Sequence, residues 1–144
     1  EAGNKVKELF SKAKDKVSGG AYDITIESPL DGTVTSSGLN AGGIIGMLKT
    51  DSTKHLFDGN KNYAMVEGKS TAGGIIGFMY GGGEIKNNVN GKTIVCHGDY
   101  AGGIIGRIED DKCTFTDNTN NGGVSSSKYQ GQTCGYDGNR KSTY

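Results

Sequence analysis

Ala41-Gly42-Gly43-Ile44-Ile45-Gly46 recurs unchanged as Ala72-Gly73-Gly74-Ile75-Ile76-Gly77 and again as Ala101-Gly102-Gly103-Ile104-Ile105-Gly106. The copies lie 31 and 29 residues apart, and another 29 residues on stands Gln130-Gly131-Gln132-Thr133-Cys134-Gly135, a worn copy without either isoleucine. Identical hexads at nearly constant spacing signal a repeat architecture. Each unit of about 30 residues is too poor in apolar side chains to bury a core alone, so it must stack on its neighbours. In coils about 4.8 Å apart, Ile44, Ile75 and Ile104 form one column, and Ile45, Ile76 and Ile105 a second. The flanking glycines read as corners with positive φ.

The intervals between hexads carry a weaker pattern. Val66 and Gly68 precede the second hexad, and Val95 and Gly98 are expected in the same place before the third. Each unit has a small apolar centre: Leu56 and Phe57, then Ile85, then Cys113 and Phe115. An Asn/Gly-rich corner follows each centre, at Asp58-Gly59-Asn60, at 87–91 and at 117–123, where Asn tolerates left-handed backbone. The expected fold is all-β: a short β-solenoid of three to four coils over residues 21–136, about 15–20 Å long, with handedness open. A sandwich would not require identical hexads at constant spacing.

Composition narrows the class. The chain has 144 residues, and Gly supplies 26 of them, about 18% against a usual 7%. One proline excludes collagen and Pro-rich linkers. Leu, Ile, Val and Phe total about 19%, which leans towards disorder, but disorder also needs high net charge. Sixteen basic and sixteen acidic residues cancel. That neutrality argues against a nucleic-acid partner. No apolar run is long enough to span a membrane.

The unit resembles the GLUG motif, a Gly-Gly-Ile-Val-Gly-type repeat of bacterial and archaeal surface proteins. Gly-Gly-Ile-Ile-Gly at 42–46, 73–77 and 102–106 carries the likeness, and Gly82-Gly83-Glu84-Ile85-Lys86-Asn87-Asn88-Val89-Asn90-Gly91 extends it. The family's Asn-Cys-Tyr-like continuation is missing. The resemblance covers roughly residues 36–136 and implies a stalk or scaffold of secreted adhesins, with no catalytic residue to transfer.

The ends differ from the middle. Val6, Leu9, Phe10, Ala13 and Val17 form one stripe at helical spacing, so residues 5–17 are expected to be an amphipathic helix within a 1–20 segment. It would cap the first coil, lie on a membrane surface, or be the lower end of a longer helix, as in a pilin. The start at Glu1 suggests a chain processed or cut from something longer, with no targeting segment in view. Tyr22 to Glu27 alternates and reads as a first strand. Residues 137–144 are a polar tail, either frayed or docked on a neighbour. Cys96, Cys113 and Cys134 fit no zinc spacing. Cys113 and Cys134 are a candidate disulfide, worth about 3 kcal/mol if unstrained; the alternative is three free thiols.

Other motifs are incomplete. Gly68-Lys69-Ser70 and Gly91-Lys92-Thr93 resemble the end of a P-loop, but Tyr63 and Lys86 stand where it needs glycine. Gly-Gly-Ile-Ile-Gly lacks the spacing of a dinucleotide fingerprint. Asp58-x-Asn60-x-Asn62 opens like a calcium loop, yet Tyr63 and Lys69 occupy its glycine and glutamate positions; Asp117-x-Thr119-x-Asn121 ends likewise on Lys128. His55 and His97 are expected at the surface or in turns, Glu109-Asp110-Asp111 as a solvated loop, and the seven tyrosines at no repeated position. No catalytic, cofactor or metal residues are assigned. The expected function is a non-catalytic extracellular or cell-surface scaffold or filament subunit, self-associating or binding a surface protein. The alternatives are a pilin-type subunit and a glycan- or ice-binding module.

Overall fold

In the computed structural model, residues 17–18, 21–25, 27, 32–50, 55–138 and 142–144 are described. Among them the secondary structure is entirely β, and no helix is long and apolar enough to cross a membrane. The expected helix over 5–17 lies outside the described residues except at Val17, which belongs to a strand.

The strands follow the coil. β1 (Val17–Ser18) and β2 (Ala21–Ile24) come first, then β3 (Thr33–Thr35), β4 (Asn40–Gly42) and β5 (Ile45–Lys49). The next coil contains β6 (His55–Asp58), β7 (Lys61–Asn62), β8 (Met65–Gly68), β9 (Thr71–Gly73) and β10 (Ile76–Tyr80). The third contains β11 (Gly83–Lys86), β12 (Val89–Asn90), β13 (Ile94–Cys96), β14 (Tyr100–Gly102) and β15 (Ile105–Glu109). The last contains β16 (Cys113–Thr116), β17 (Thr119–Asn120), β18 (Val124–Ser125), β19 (Tyr129–Gly131) and β20 (Cys134–Asp137).

Every strand pairs in parallel with its equivalent one coil away, except β1, which is antiparallel to β2. Five sheets result: β1-β2-β6-β11-β16, β7-β12-β17, β3-β8-β13-β18, β4-β9-β14-β19 and β5-β10-β15-β20. We call them the first to fifth sheets in that order. The rise from β5 to β20 is three full turns of a β-solenoid, as the hexad spacing predicts.

The register is that of the hexads. Ala41, Ala72 and Ala101 are partners in the fourth sheet, and Ile45, Ile76 and Ile105 in the fifth. The amides of Ile44, Ile75 and Ile104 donate to the carbonyls of Ile75, Ile104 and Thr133, at 3.1, 2.9 and 3.0 Å. Ile75, Ile76, Ile104 and Ile105 are at most 1% exposed, each contributing about 1.5–3 kcal/mol by burial. They pack with Phe57, Ile85 and Phe115 of the first sheet and with Met79 and Ile108. A second cluster joins Val66 and Ile94 to Ala41, Ala72 and Ala101.

Two details differ from expectation. The hexad glycines do not have positive φ. Among the described residues that conformation falls instead on Gly59, Asn87 and Asp117 at one corner, on Gly81 and Asp110 at another, and on Gly32 before β3. The hexads need glycine because backbones crowd them: a Cβ on Gly73 would lie 1.9 Å from Ile76 O, and one on Gly77 2.5 Å from Ala41 O. In addition, Val66 aligns with Ile94 and Gly68 with Cys96, not with Val95 and Gly98. The connection from β13 to β14 is one residue longer than that from β8 to β9, so the hexad spacing does not carry back into the strand before it.

Candidate functional site

The residues that recur between coils mostly point inward. The Asn/Gly corners are the clearest case, because their asparagines are buried. Asn60, Asn62, Asn88 and Asn90 are all 0% exposed. Asn60 Nδ2 donates to Asn88 Oδ1 at 2.8 Å, and Asn88 Nδ2 to Asn118 Oδ1 at 2.9 Å. A second ladder runs from Asn62 to Asn90 at 2.9 Å and from Asn90 to Asn120 at 2.8 Å. Other amide groups hold the chain itself: Asn88 donates to Phe57 O, Asn118 to Ile85 O, and Asn62 to Ala64 O. Buried polar groups are tolerated only with partners, and these ladders supply them. Asn120, with no asparagine above it, donates to Gln132 Oε1 at 2.7 Å. Gln132 replaces the hexad glycine in the worn copy and so ends the ladder.

The would-be calcium loop is therefore structural: Asn60 and Asn62 face their own equivalents, and Asp58 pairs with Lys86 at 3.7 Å. Among the described residues no group of three or more His, Cys, Asp and Glu side chains is gathered. His55 is buried at 5%, contrary to its expected surface position, because β6 turns alternate residues inward. Cys96 is buried while the neighbouring His97 faces out, its Nε2 2.6 Å from Glu67 Oε1.

Cys96, Cys113 and Cys134 are free thiols, so the candidate Cys113–Cys134 bridge is not formed. Cys113 Sγ points at Met79 Sδ at 3.7 Å, and Cys134 packs against the same core. Burial pushes both thiols up to about 12. The tail folds back on its own last coil. Phe115 N donates to Thr143 O at 2.7 Å, Thr143 N to Cys113 O at 3.0 Å, and the Tyr144 ring stacks on Phe115 at 4.9 Å.

The outward columns vary, and on the fourth and fifth sheets they turn aromatic. Asn40, Thr71 (covered by its neighbours and buried), Tyr100 and Tyr129 are register partners, as are Met47, Phe78, Arg107 and Tyr136. Tyr100 and Tyr129 stack with centroids 5.5 Å apart and planes 6° from parallel. Tyr136 lies 5.1 and 5.0 Å from them, tilted 51° and 55°. The Arg107 guanidinium sits 4.7 Å from the Tyr100 ring, 5.2 Å from Phe78 and 5.9 Å from Tyr136. Glu109 Oε1 accepts from its Nε and Nη2 at 3.0 and 2.7 Å. Lys49 and Lys128 approach the Tyr80 and Tyr129 rings.

Tyrosine thus does occupy a repeated position, contrary to the sequence reading. The 29-residue step from Tyr100 to Tyr129 is the hexad step, and it was the available signal. Comparison with protein-family models, curated proteins and solved structures found no match to this chain.

Proposed function

We propose that this chain is a non-catalytic scaffold of a cell-surface or secreted protein, a rigid spacer that carries a contact face. One observation supports this reading above all. The side chains that repeat identically, the hexad isoleucines and ladder asparagines, face the interior, whereas the outward columns change from coil to coil. Repetition serves the rod, and a single side of it carries the aromatic cluster. An ice-binding surface, which needs a regular outward array, has less support: the column Thr35, Glu67, Val95, Ser125 is typical of the irregular sides.

A filament subunit built by direct stacking is the second reading. It meets an obstacle in the first sheet. β1 lies antiparallel beyond β2 at one end, and Thr143 pairs with Thr114 at the other. Such blocked edges disfavour strand-to-strand growth. The extracellular setting and the GLUG likeness belong to the same proposal.

The test is cell display. A non-adherent bacterial strain displaying the chain should attach to coated surfaces several times more than the parent strain. Attachment equal to that of the parent would remove the adhesive reading.

A further inference from the structure

We propose that the aromatic face of the fourth and fifth sheets binds a neutral, linear oligosaccharide. This rests on the scaffold reading and adds the chemical class of the ligand.

The distribution of exposed side chains singles out this face. Of the large apolar side chains exposed on the described surface, Leu39, Met47, Tyr80 and Tyr129 stand on or beside these two sheets; Tyr144, on the tail, is the other. Tyrosine gives large contact area with few side-chain torsions to freeze, and arginine adds a fork of hydrogen-bond donors; both are enriched at binding surfaces. Here the core does not require them: Tyr100 and Tyr129 replace the polar Asn40 and Thr71 of earlier coils.

At the centre of the cluster charge favours a neutral ligand. Arg107 is paired with Glu109, so an anion would have to compete with a carboxylate already in place, while Lys49 and Lys128 stand at the margins over the Tyr80 and Tyr129 rings. The pair still offers donors and acceptors beside aromatic rings, which suits a hydroxyl-rich ligand. The stacked Tyr100–Tyr129 pair presents ring edges and hydroxyls, and Tyr136 is inclined to them. Successive rungs are about 4.8 Å apart, comparable to one pyranose unit of an extended chain, so neighbouring sugars would meet neighbouring rungs.

Size argues against a protein partner. Four rungs by eight residues give a footprint of roughly 500 Å², below the ~800 Å² that each partner of a stable protein pair buries. It is ample for a few sugar units.

The chain contains no tryptophan, so its intrinsic fluorescence comes from its seven tyrosines, of which Tyr100, Tyr129 and Tyr136 form this cluster. Titration of the purified protein with cellohexaose and with maltohexaose should give a saturable change for at least one, with Kd between about 10 μM and 1 mM. Tyr129→Ala should weaken binding about tenfold, and Arg107→Gln, which leaves the last coil's own residues intact, should do the same. Val89→Ala, on the second sheet, should leave it unchanged. A hexamer of galacturonate should bind at least about tenfold more weakly.

No saturable change with either neutral sugar up to about 10 mM, equal or tighter binding of the galacturonate, or binding untouched by both face variants in a folded protein would overturn the assignment. If displayed cells still attach while both neutral sugars fail, the ligand class falls and the scaffold reading stands. If display gives no attachment while a neutral sugar binds, the adhesive reading falls and the ligand class stands.

Discussion

Gly74 stands directly against Asn90: a Cβ on Gly74 would lie 2.6 Å from Asn90 Cγ and 2.0 Å from Gly103 O. The pairing repeats one coil away on each side. Gly43 faces Asn62, and Gly103 faces Asn120. The second hexad glycine and the second ladder asparagine are therefore one device, since the amide ladder fits only where the opposing backbone has no side chain. This couples two sequence features that lie about half a coil apart and explains why this glycine is the same in all three intact copies.

Gly74→Ala should consequently destabilise the fold by about 1–3 kcal/mol or more, the cost of overpacking a filled interior. Gly123→Ala is the control, because its nearest neighbour would be Thr93 Cγ2 at 3.9 Å. Thermal melts of the two variants check this, and similar losses in both would refute the steric argument.

Asn88→Leu removes the central member of the first ladder. It removes the acceptor shared by the Asn60 N–H and Nδ2 and the donor to the Phe57 carbonyl, and losing buried hydrogen bonds of this kind costs about 1–3 kcal/mol each. Asn118→Leu, at the part-buried end of the same ladder, should cost less. Urea unfolding midpoints should rank wild type above Asn118→Leu above Asn88→Leu.

Alkaline pH should weaken the fold through its thiols. Cys113 and Cys134 are held at about 12 by burial, against 9.0 for the free thiol. The unfolded chain therefore loses these protons first. The stabilisation is whole below pH 9 and is lost as pH rises from 9 towards 12. Melting temperatures should stay level from pH 7 to 8.5 and then fall. A Cys113→Ala/Cys134→Ala double variant should fall less steeply over that interval, and an equal slope would exclude the thiols.

The tail should act as a cover for those same thiols. The Tyr144 ring lies on Phe115, and Ser142 Oγ accepts from Cys113 N at 3.0 Å. Deleting Ser142–Tyr144 should raise the rate of thiol modification by a disulfide reagent at pH 8 by about tenfold or more. An unchanged rate would mean that the core, not the tail, controls access.

The hexads make the solenoid legible because the first two glycines of each copy, and the third in the second and third copies, meet opposing atoms that leave no room for a side chain, and that constraint leaves an exact repeat in the sequence. Phe57, Ile85 and Phe115 were also readable as one column, and they are register partners. The ladders are hidden in the sequence, since asparagine in a Gly-rich stretch reads as a turn. Yet Asn60-x-Asn62, Asn88-x-Asn90 and Asn118-x-Asn120 recur at 28 and 30 residues, a period that turns alone do not demand. The first strand was placed at 22–27, whereas β2 is Ala21–Ile24 with a further bridge at Glu27. The aromatic face is faint in the sequence because only two of its coils carry tyrosine in the fourth sheet, and Arg107 is a ring partner that periodicity cannot identify. The folded tail carries too few residues for any pattern.

The stacking itself is the claim on which the rest depends, and methyl NMR tests it most directly. With alanine and isoleucine methyls labelled, Ala72 should show nuclear Overhauser contacts to both Ala41 and Ala101, and Ile76 to both Ile45 and Ile105. If Ala72 and Ile76 instead contact residues of their own coil alone, the hexads do not lie over one another and the account is wrong.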